Sequence, residues 1–331
     1  MLRGVLIITL FYSTLLRAQT IGGSSVYNFL KVPNTPQLSG LGGINISNIS
    51  NDEGLTFNNP SLLRPEMNSQ LNLVFNSLYA GIKNYHLSGA WHAKKIETNV
   101  AFGLQYFHYG TVPETDASGN MLGTFRPVDY VVQVSADRQY EKKWYYGMTL
   151  KFIHSNYGQY RSSGIAMDAA VAYMDSSSML QVSLVAKNMG AQIKTYADTP
   201  EDLPFDLQLG ITKRLSKAPI QFSLTAHHLH QFDIRYADTA ESGKFTADKI
   251  FRHFVFATQI VLEKKVEITL AYNYLRRKEL TVAEGSAGLN GFSLGLGVLF
   301  KKIQLRYARS YYTNNTAYNQ LGLNLKMSDF F

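Results

Sequence analysis

Residues 319–331 read NQLGLNLKMSDFF, and this stretch decides the fold. Leu321, Leu323, Leu325 and Met327 fall on one parity, and Gln320, Gly322, Asn324, Lys326 and Ser328 on the other. Successive side chains of a β-strand point to opposite faces, so this strand has one apolar and one polar face. It ends on Phe330 and Phe331, and an aromatic ending on an amphipathic strand looks like the recognition signal of bacterial outer-membrane barrels. Leu323, Leu325, Met327 and Phe331 are the expected assembly signal, on a last strand that pairs with the first.

The alternation repeats upstream. Leu71, Leu73 and Phe75 open the series, Val100, Phe102 and Leu104 continue it, and Ile165, Met167, Ala169 and Val171 carry it through the middle. About fourteen such segments lie between residue 69 and the end, an even number as single-chain bacterial barrels require. The opposite parity carries Asn72, Asn76, Gln105, Gln133, Asp168, Asp206, Gln208 and Asn273, which reads as a polar interior. The connections alternate in length. Short charged ones, such as Lys94-Lys95, 138–143, 213–217 and Lys301-Lys302, take turns with longer ones at 110–127, 188–203, 233–249 and 275–289. Outer-membrane barrels have short periplasmic turns and long extracellular loops, whereas a soluble sandwich has no reason to sort them. The fold class is therefore all-β, a transmembrane antiparallel barrel with both termini expected on the periplasmic side. Tyr and Phe clusters at Tyr85, 106–109, 144–146, Tyr272, Tyr274, Tyr311 and Tyr312 are expected to form the interfacial girdles.

Composition agrees. Of 331 residues, 45% are hydrophobic and 17% charged, with 21 Tyr and 19 Phe, and after the N-terminus no apolar run approaches the ~20 residues of a helical span. Residues 1–18 read as a secretory signal peptide, with Arg3 in a short basic region, an apolar core and Leu16-Arg17-Ala18 before the cut. An exported chain of net charge +8 meets anionic lipid or lipopolysaccharide rather than nucleic acid. It has no Cys, which excludes disulfides and thiolate metal sites. Residues 19–68 are rich in Gly, Asn, Ser and Pro and have no period, which is long for a connection and suits a plug inside the barrel. Three segments follow: 1–18 signal, 19–68 plug or hatch, and 69–331 barrel.

LSGLGGIN at 38–45 followed by NDEGLTFNNPSL at 51–62 resembles the N-terminal hatch of the FadL superfamily, with Ser61 where that pattern has Ala. Within it, GGSSVYNFL at 22–30, the ETDASGN turn at 114–120 with Gly123-Thr124-Phe125, and 203–232 are similar to the PorQ family of the Bacteroidetes type IX secretion system. That resemblance implies a FadL-like barrel without enzymatic chemistry. It also implies partners: a surface subunit that recognises lipopolysaccharide, which the barrel anchors, a sortase-like peptidase and a cargo-shuttle barrel. The long loops are the expected docking surface, with Pro113, Glu114, Tyr196, Pro200 and Phe245 as anchors.

Other readings are weighed against this one. Uptake of hydrophobic small molecules follows from the superfamily resemblance, and the polar interior speaks against it. A lipid-hydrolysing Ser/His pair would use His154 with Ser155 or Ser163, but no spacing supplies a third, orienting group. His227, His228 and His230 form the densest His group. His227 and His228 face opposite sides of a strand, so at most one of them can join His230 in a shared site unless the strand bends, and a metal would also want further ligands. No catalytic centre, cofactor or metal is therefore expected. His86 and His92 share a parity and are expected to line the lumen.

Overall fold

The computed structural model describes residues 25–78, 81–234, 247–280, 288–313 and 316–330. The expected signal peptide, Phe245 and Phe331 lie outside these. The chain forms β1 (Gln70–Ser77), β2 (Lys83–Ala93), β3 (Thr98–His108), β4 (Val112–Thr115), β5 (Met121–Phe125), β6 (Val128–Tyr140), β7 (Trp144–Tyr157) and β8 (Tyr160–Asp175). It continues with β9 (Leu180–Lys194), β10 (Asp206–Arg214), β11 (Ile220–Ala226), β12 (Phe254–Leu262), β13 (Val266–Asn273), β14 (Phe292–Leu299), β15 (Ile303–Thr313) and β16 (Thr316–Lys326). All but β4 and β5 join in a closed antiparallel barrel of fourteen strands, in which each pairs with its neighbour in the chain and β16 closes on β1. Closure leaves the barrel sheet no unpaired strand edge among the described residues, a condition for crossing lipid with strands.

The two parities separate as the alternation requires. Leu73, Phe75, Leu150, Ile211, Leu270, Leu296 and Leu321 point outward and are exposed. Asn72, Asn76, Gln105, Gln133, Asp168, Gln208, Gln259 and Asn324 point inward and are buried. The molecule is thus apolar outside and polar inside, the reverse of a soluble core. No helix among the described residues is long and apolar enough to cross a membrane.

Residues 25–69 fill the interior. Thr35 caps the short helix α1 (Pro36–Gly40), its hydroxyl accepting from Leu38 N at 3.2 Å, and Pro36 occupies the first turn, where its missing N–H costs nothing. Asp52 and Asn59 cap two further helical turns. Such local caps let a chain without strand partners satisfy its own backbone. The barrel wall makes room with inward glycines: a Cβ on Gly147 would lie 2.7 Å from the Pro60 and Ser61 backbone, and one on Gly322 2.8 Å from the Pro36 ring. At the long-loop end, Val26, Tyr27 and Phe29 pack on Phe107, Val131, Ile153 and Leu203 in a small apolar core.

Several details differ from the sequence expectations. The last strand stops at Lys326. Met327 opens a 3-10 turn (Met327–Asp329) and donates its N–H to Ser69 O at 2.8 Å, so it belongs to the closing corner and not to the apolar stripe. Phe107 and Tyr145 face inward, away from the girdles. The 110–127 connection contains the β4–β5 hairpin, and β9 runs on to Lys194 past a register shift, which shortens the expected 188–203 loop. β6 to β9 span 13, 14, 16 and 15 residues, beyond the ~9–11 that cross a bilayer, so this side of the wall stands above the membrane. The barrel's own ends, near residues 69 and 326, lie at the short-turn rim. Residue 25 does not, because Val26 N bonds Asp202 O in the β9–β10 loop at the opposite end. The luminal segment thus descends from the outer mouth to the periplasmic rim.

This orientation predicts opposite labelling of two exposed serines. A cysteine at Ser118, on the hairpin tip, should react with an impermeant thiol reagent on intact cells; one at Ser216, in the β10–β11 turn, should react only after lysis. Equal labelling of both on intact cells would contradict it.

Candidate functional site

The luminal segment is held by named polar contacts at every depth. Near the seam, the Asp52 carboxylate accepts from Gly54 N at 3.0 Å and Asn324 Nδ2 at 2.6 Å. Arg306 Nη1 lies 3.2 Å from its other oxygen, and Arg306 Nε donates to Glu267 Oε2 at 2.9 Å. One residue of the plug is thereby tied to β13, β15 and β16, next to the junction where the barrel closes. Ser39 Oγ donates to Gln320 at 2.5 Å, Ser47 and Thr212 share a 2.9 Å bond, and Asn48 reaches Gln259 at 3.3 Å. On the far wall Lys151 pairs with Asp168 at 2.6 Å and donates to Asn188 Oδ1 at 2.9 Å. Asn188 takes a left-handed backbone (φ 58°) and donates its N–H to Asp168, which makes the bulge in β9. His86 lines the lumen as expected, 3.3 Å from Asn34 and 3.1 Å from Ser88.

Above this network the outer mouth holds a cavity of about 780 Å³. Its wall mixes apolar residues, among them Leu30, Val32 and Leu275, with the cations Lys31, Lys187 and Arg276. Burial lowers the Lys31 ammonium from its ordinary value, and Glu279 and Asp206 partly offset this. Beside it lie Asp206, His227 and His228. The chain leaves β11 after Ala226, and His228 is left-handed (φ 54°), so the alternation expected of a strand fails and the two imidazoles meet, Nδ1 to Nδ1, at 2.5 Å. Burial holds His227 neutral, down to about 3. The sequence expectation that these rings diverge is corrected here.

The outer loops carry the residues expected to dock a partner. Pro113 is exposed and Glu114 half-buried on β4, on opposite faces of a hairpin that pairs only with itself. Pro200 is exposed in the β9–β10 connection. Tyr196 turns inward, its ring 6.0 Å from Tyr157, and so braces the loop. Further round, α2 (Ala247–Phe251) and α3 (Tyr274–Leu280) are clasped by Asp248, which accepts from Tyr274 at 2.5 Å and pairs with Arg252 at 2.6 Å and Lys278 at 3.0 Å. Burial opposes its ionisation, but these bonds outweigh burial and hold Asp248 down at about 2. A depressed carboxylate stabilises above its unfolded pKa of about 4, so this clasp persists through mild acid and is lost only as the pH falls toward 2.

His154 Nδ1 does reach Ser163 Oγ, at 2.8 Å, on the outward face. Ser155 points the other way, donating to Asp129. Among the described residues no carboxylate accepts a hydrogen bond from His154; its ring lies 5.1 Å from that of Tyr130. A base without an orienting group is not an activated pair.

A closed barrel with an apolar outer belt and a polar, filled interior has one solvent that suits it. This chain is an outer-membrane β-barrel. No family model and no curated protein matches it. Among solved structures it is similar to the CymD monoaromatic hydrocarbon channel, with 14% identity, TM-score 0.49, and coverage of 91% of this chain and 97% of that one. It is also similar to the TodX monoaromatic hydrocarbon channel deltaS2 mutant, at 10% identity, TM-score 0.48, and coverage of 87% and 97%. Omp33 of Acinetobacter baumannii follows at 9% identity, TM-score 0.40, and coverage of 77% and 96%.

Proposed function

We propose that this barrel is a closed anchor of the type IX secretion attachment complex, of the PorQ kind, which holds a lipopolysaccharide-recognising surface subunit through its outer loops. The observation that carries this reading is the β4–β5 hairpin. It stands apart from the barrel sheet, and an isolated two-stranded hairpin is marginal in water. Met121 and Leu122 are 68% and 65% exposed on it, well away from the membrane belt, where apolar side chains have no lipid to meet. Such residues on a rigidly based projection suit a protein partner. The sortase-like peptidase and the cargo-shuttle barrel would reach the same complex through that subunit. The polar network below leaves the interior a scaffold, and the barrel itself performs no chemistry.

Replacing residues 112–125 by a short Gly-Ser link should leave a heat-modifiable barrel, because loop length costs little compared with a broken ladder. The surface subunit should then appear in the medium. Retention of the subunit by this variant, and by variants shortened at 195–203 and 235–246, would overturn the anchor.

The second reading is FadL-like uptake of hydrophobic small molecules, and the outer cavity favours it, since apolar walls with a few cations suit an amphipathic acid. It requires a passage through the network around Asp52 and Asp168, so it predicts solute entry into cells that depends on the barrel. The anchor predicts none.

A further inference from the structure

We propose that Asp206, His227 and His228 bind one divalent transition-metal ion of the zinc class at the outer mouth of the lumen. One ligand atom from each of the three lies within 4.8 Å of the others. They come from two adjacent strands: Asp206 opens β10, and the histidines follow the end of β11. Their backbones are fixed independently of any ion. Asp206 Oδ1 accepts from His228 N at 2.6 Å, Gln208 Nε2 donates to Asp206 Oδ2 at 2.6 Å, and His227 N donates to His253 O at 2.9 Å. His253 Nδ1 lies 2.8 Å from His227 O and its Nε2 3.0 Å from Phe232 O, so that ring braces the turn from behind.

The imidazoles themselves point to a cation between them. His227 is fully buried, its Nδ1 faces the Nδ1 of His228, and its Nε2 has no hydrogen-bond partner among the described residues. Two neutral rings set nitrogen to nitrogen place two lone pairs together unless a proton or a metal lies there, and the Asp206 carboxylate, 4.0 Å from His228 Nδ1, supplies the balancing charge. Tetrahedral zinc, with Zn–N of about 2.0–2.1 Å, would hold the two nitrogens about 3.3 Å apart, so the rings need part by less than about 1 Å. Two imidazoles and a carboxylate make a donor set that suits Zn²⁺, Ni²⁺ or Cu²⁺ and not the oxygen-seeking Ca²⁺ or Mg²⁺. Three protein ligands leave a fourth position, and all three residues line the outer cavity. That position is open to water or to an anionic group entering the mouth. The inference holds whether the barrel is an anchor or a conduit.

The test uses the full chain, purified in detergent with a non-histidine tag and stripped of metal. Calorimetry with Zn²⁺ should give one equivalent, and Co²⁺ should produce the visible absorption of a nitrogen- and oxygen-ligated tetrahedral site. His227→Ala and His228→Ala should each weaken binding by at least the ~10- to 100-fold known for losing even an outer-shell partner. Asp206→Asn keeps the acceptor for His228 N and so the fold, and should also weaken it. His92→Ala, at the other end of the barrel, should bind as the unaltered chain does. Should an alanine variant fail to fold, the asparagine variant and the cobalt spectrum still decide. Absence of stoichiometric binding by the unaltered chain, or binding by the asparagine and His228→Ala variants as tight as that of the unaltered chain, would show that the imidazoles share only a proton.

Discussion

Arg306→Met should destabilise the barrel by ~3–5 kcal/mol, the range for breaking a buried ion pair by removing one partner. The guanidinium is 6% exposed and lies between Asp52 of the luminal segment and Glu267 of β13, themselves 2% and 7% exposed. The methionine leaves two carboxylates in a space too enclosed to hydrate both. Because Asp52 also accepts from Asn324 on the closing strand, the loss should loosen the plug and the seam together. Urea unfolding in micelles, read by tryptophan emission, measures it. Adding Glu267→Gln and Asp52→Asn to the methionine variant should recover a large part of the loss, since those charges are its cause. If the single variant unfolds where the parent does, Asp52 does not pin the plug.

The second large effect is on the outside. Leu323 is flanked across the ladder by Leu73 on β1 and Leu305 on β15, all three on the outward parity. An arginine there faces hydrocarbon, and at the midplane of an outer-membrane barrel that costs ~2–4 kcal/mol. Leu323→Arg should therefore fold in reduced yield and unfold at lower urea, whereas Ser118→Arg on the hairpin tip should stay within ~0.5 kcal/mol of the parent. An unchanged Leu323→Arg would mean that this face does not meet lipid.

Strand count, pairing order and the in-and-out assignment were all legible, because period-two alternation is a local property and a closed meander pairs neighbours in the chain. The hairpin was not, since VPET and MLGTF show no contrast of parity: both faces of β5 meet water. Met327 was misplaced for a related reason. Its parity continues the stripe of Leu321, Leu323 and Leu325, but the backbone turns after Lys326 to meet Ser69, and alternation says nothing about where a strand ends. The extension of β9 hides behind the bulge at Asn188, whose left-handed backbone shifts the register. Asp52 and Glu53 were visible as acidic residues in a Gly- and Asn-rich stretch. Their partners were not, because Arg306 lies some 250 residues away and only barrel closure brings it near. His227 and His228 were dismissed on strand geometry that a single positive φ at His228 removes.

The central claim is that the interior is closed and the outer loops do the work. Permeation by the unaltered chain, measured in planar bilayers for ions and in proteoliposomes for a hydrophobic aromatic solute, tests it most directly. The account predicts baseline conductance and no solute entry above protein-free vesicles, with steady conductance appearing once residues 25–64 are deleted. Solute entry through the unaltered chain, matching that of the deletion, would contradict it and identify the barrel as a conduit.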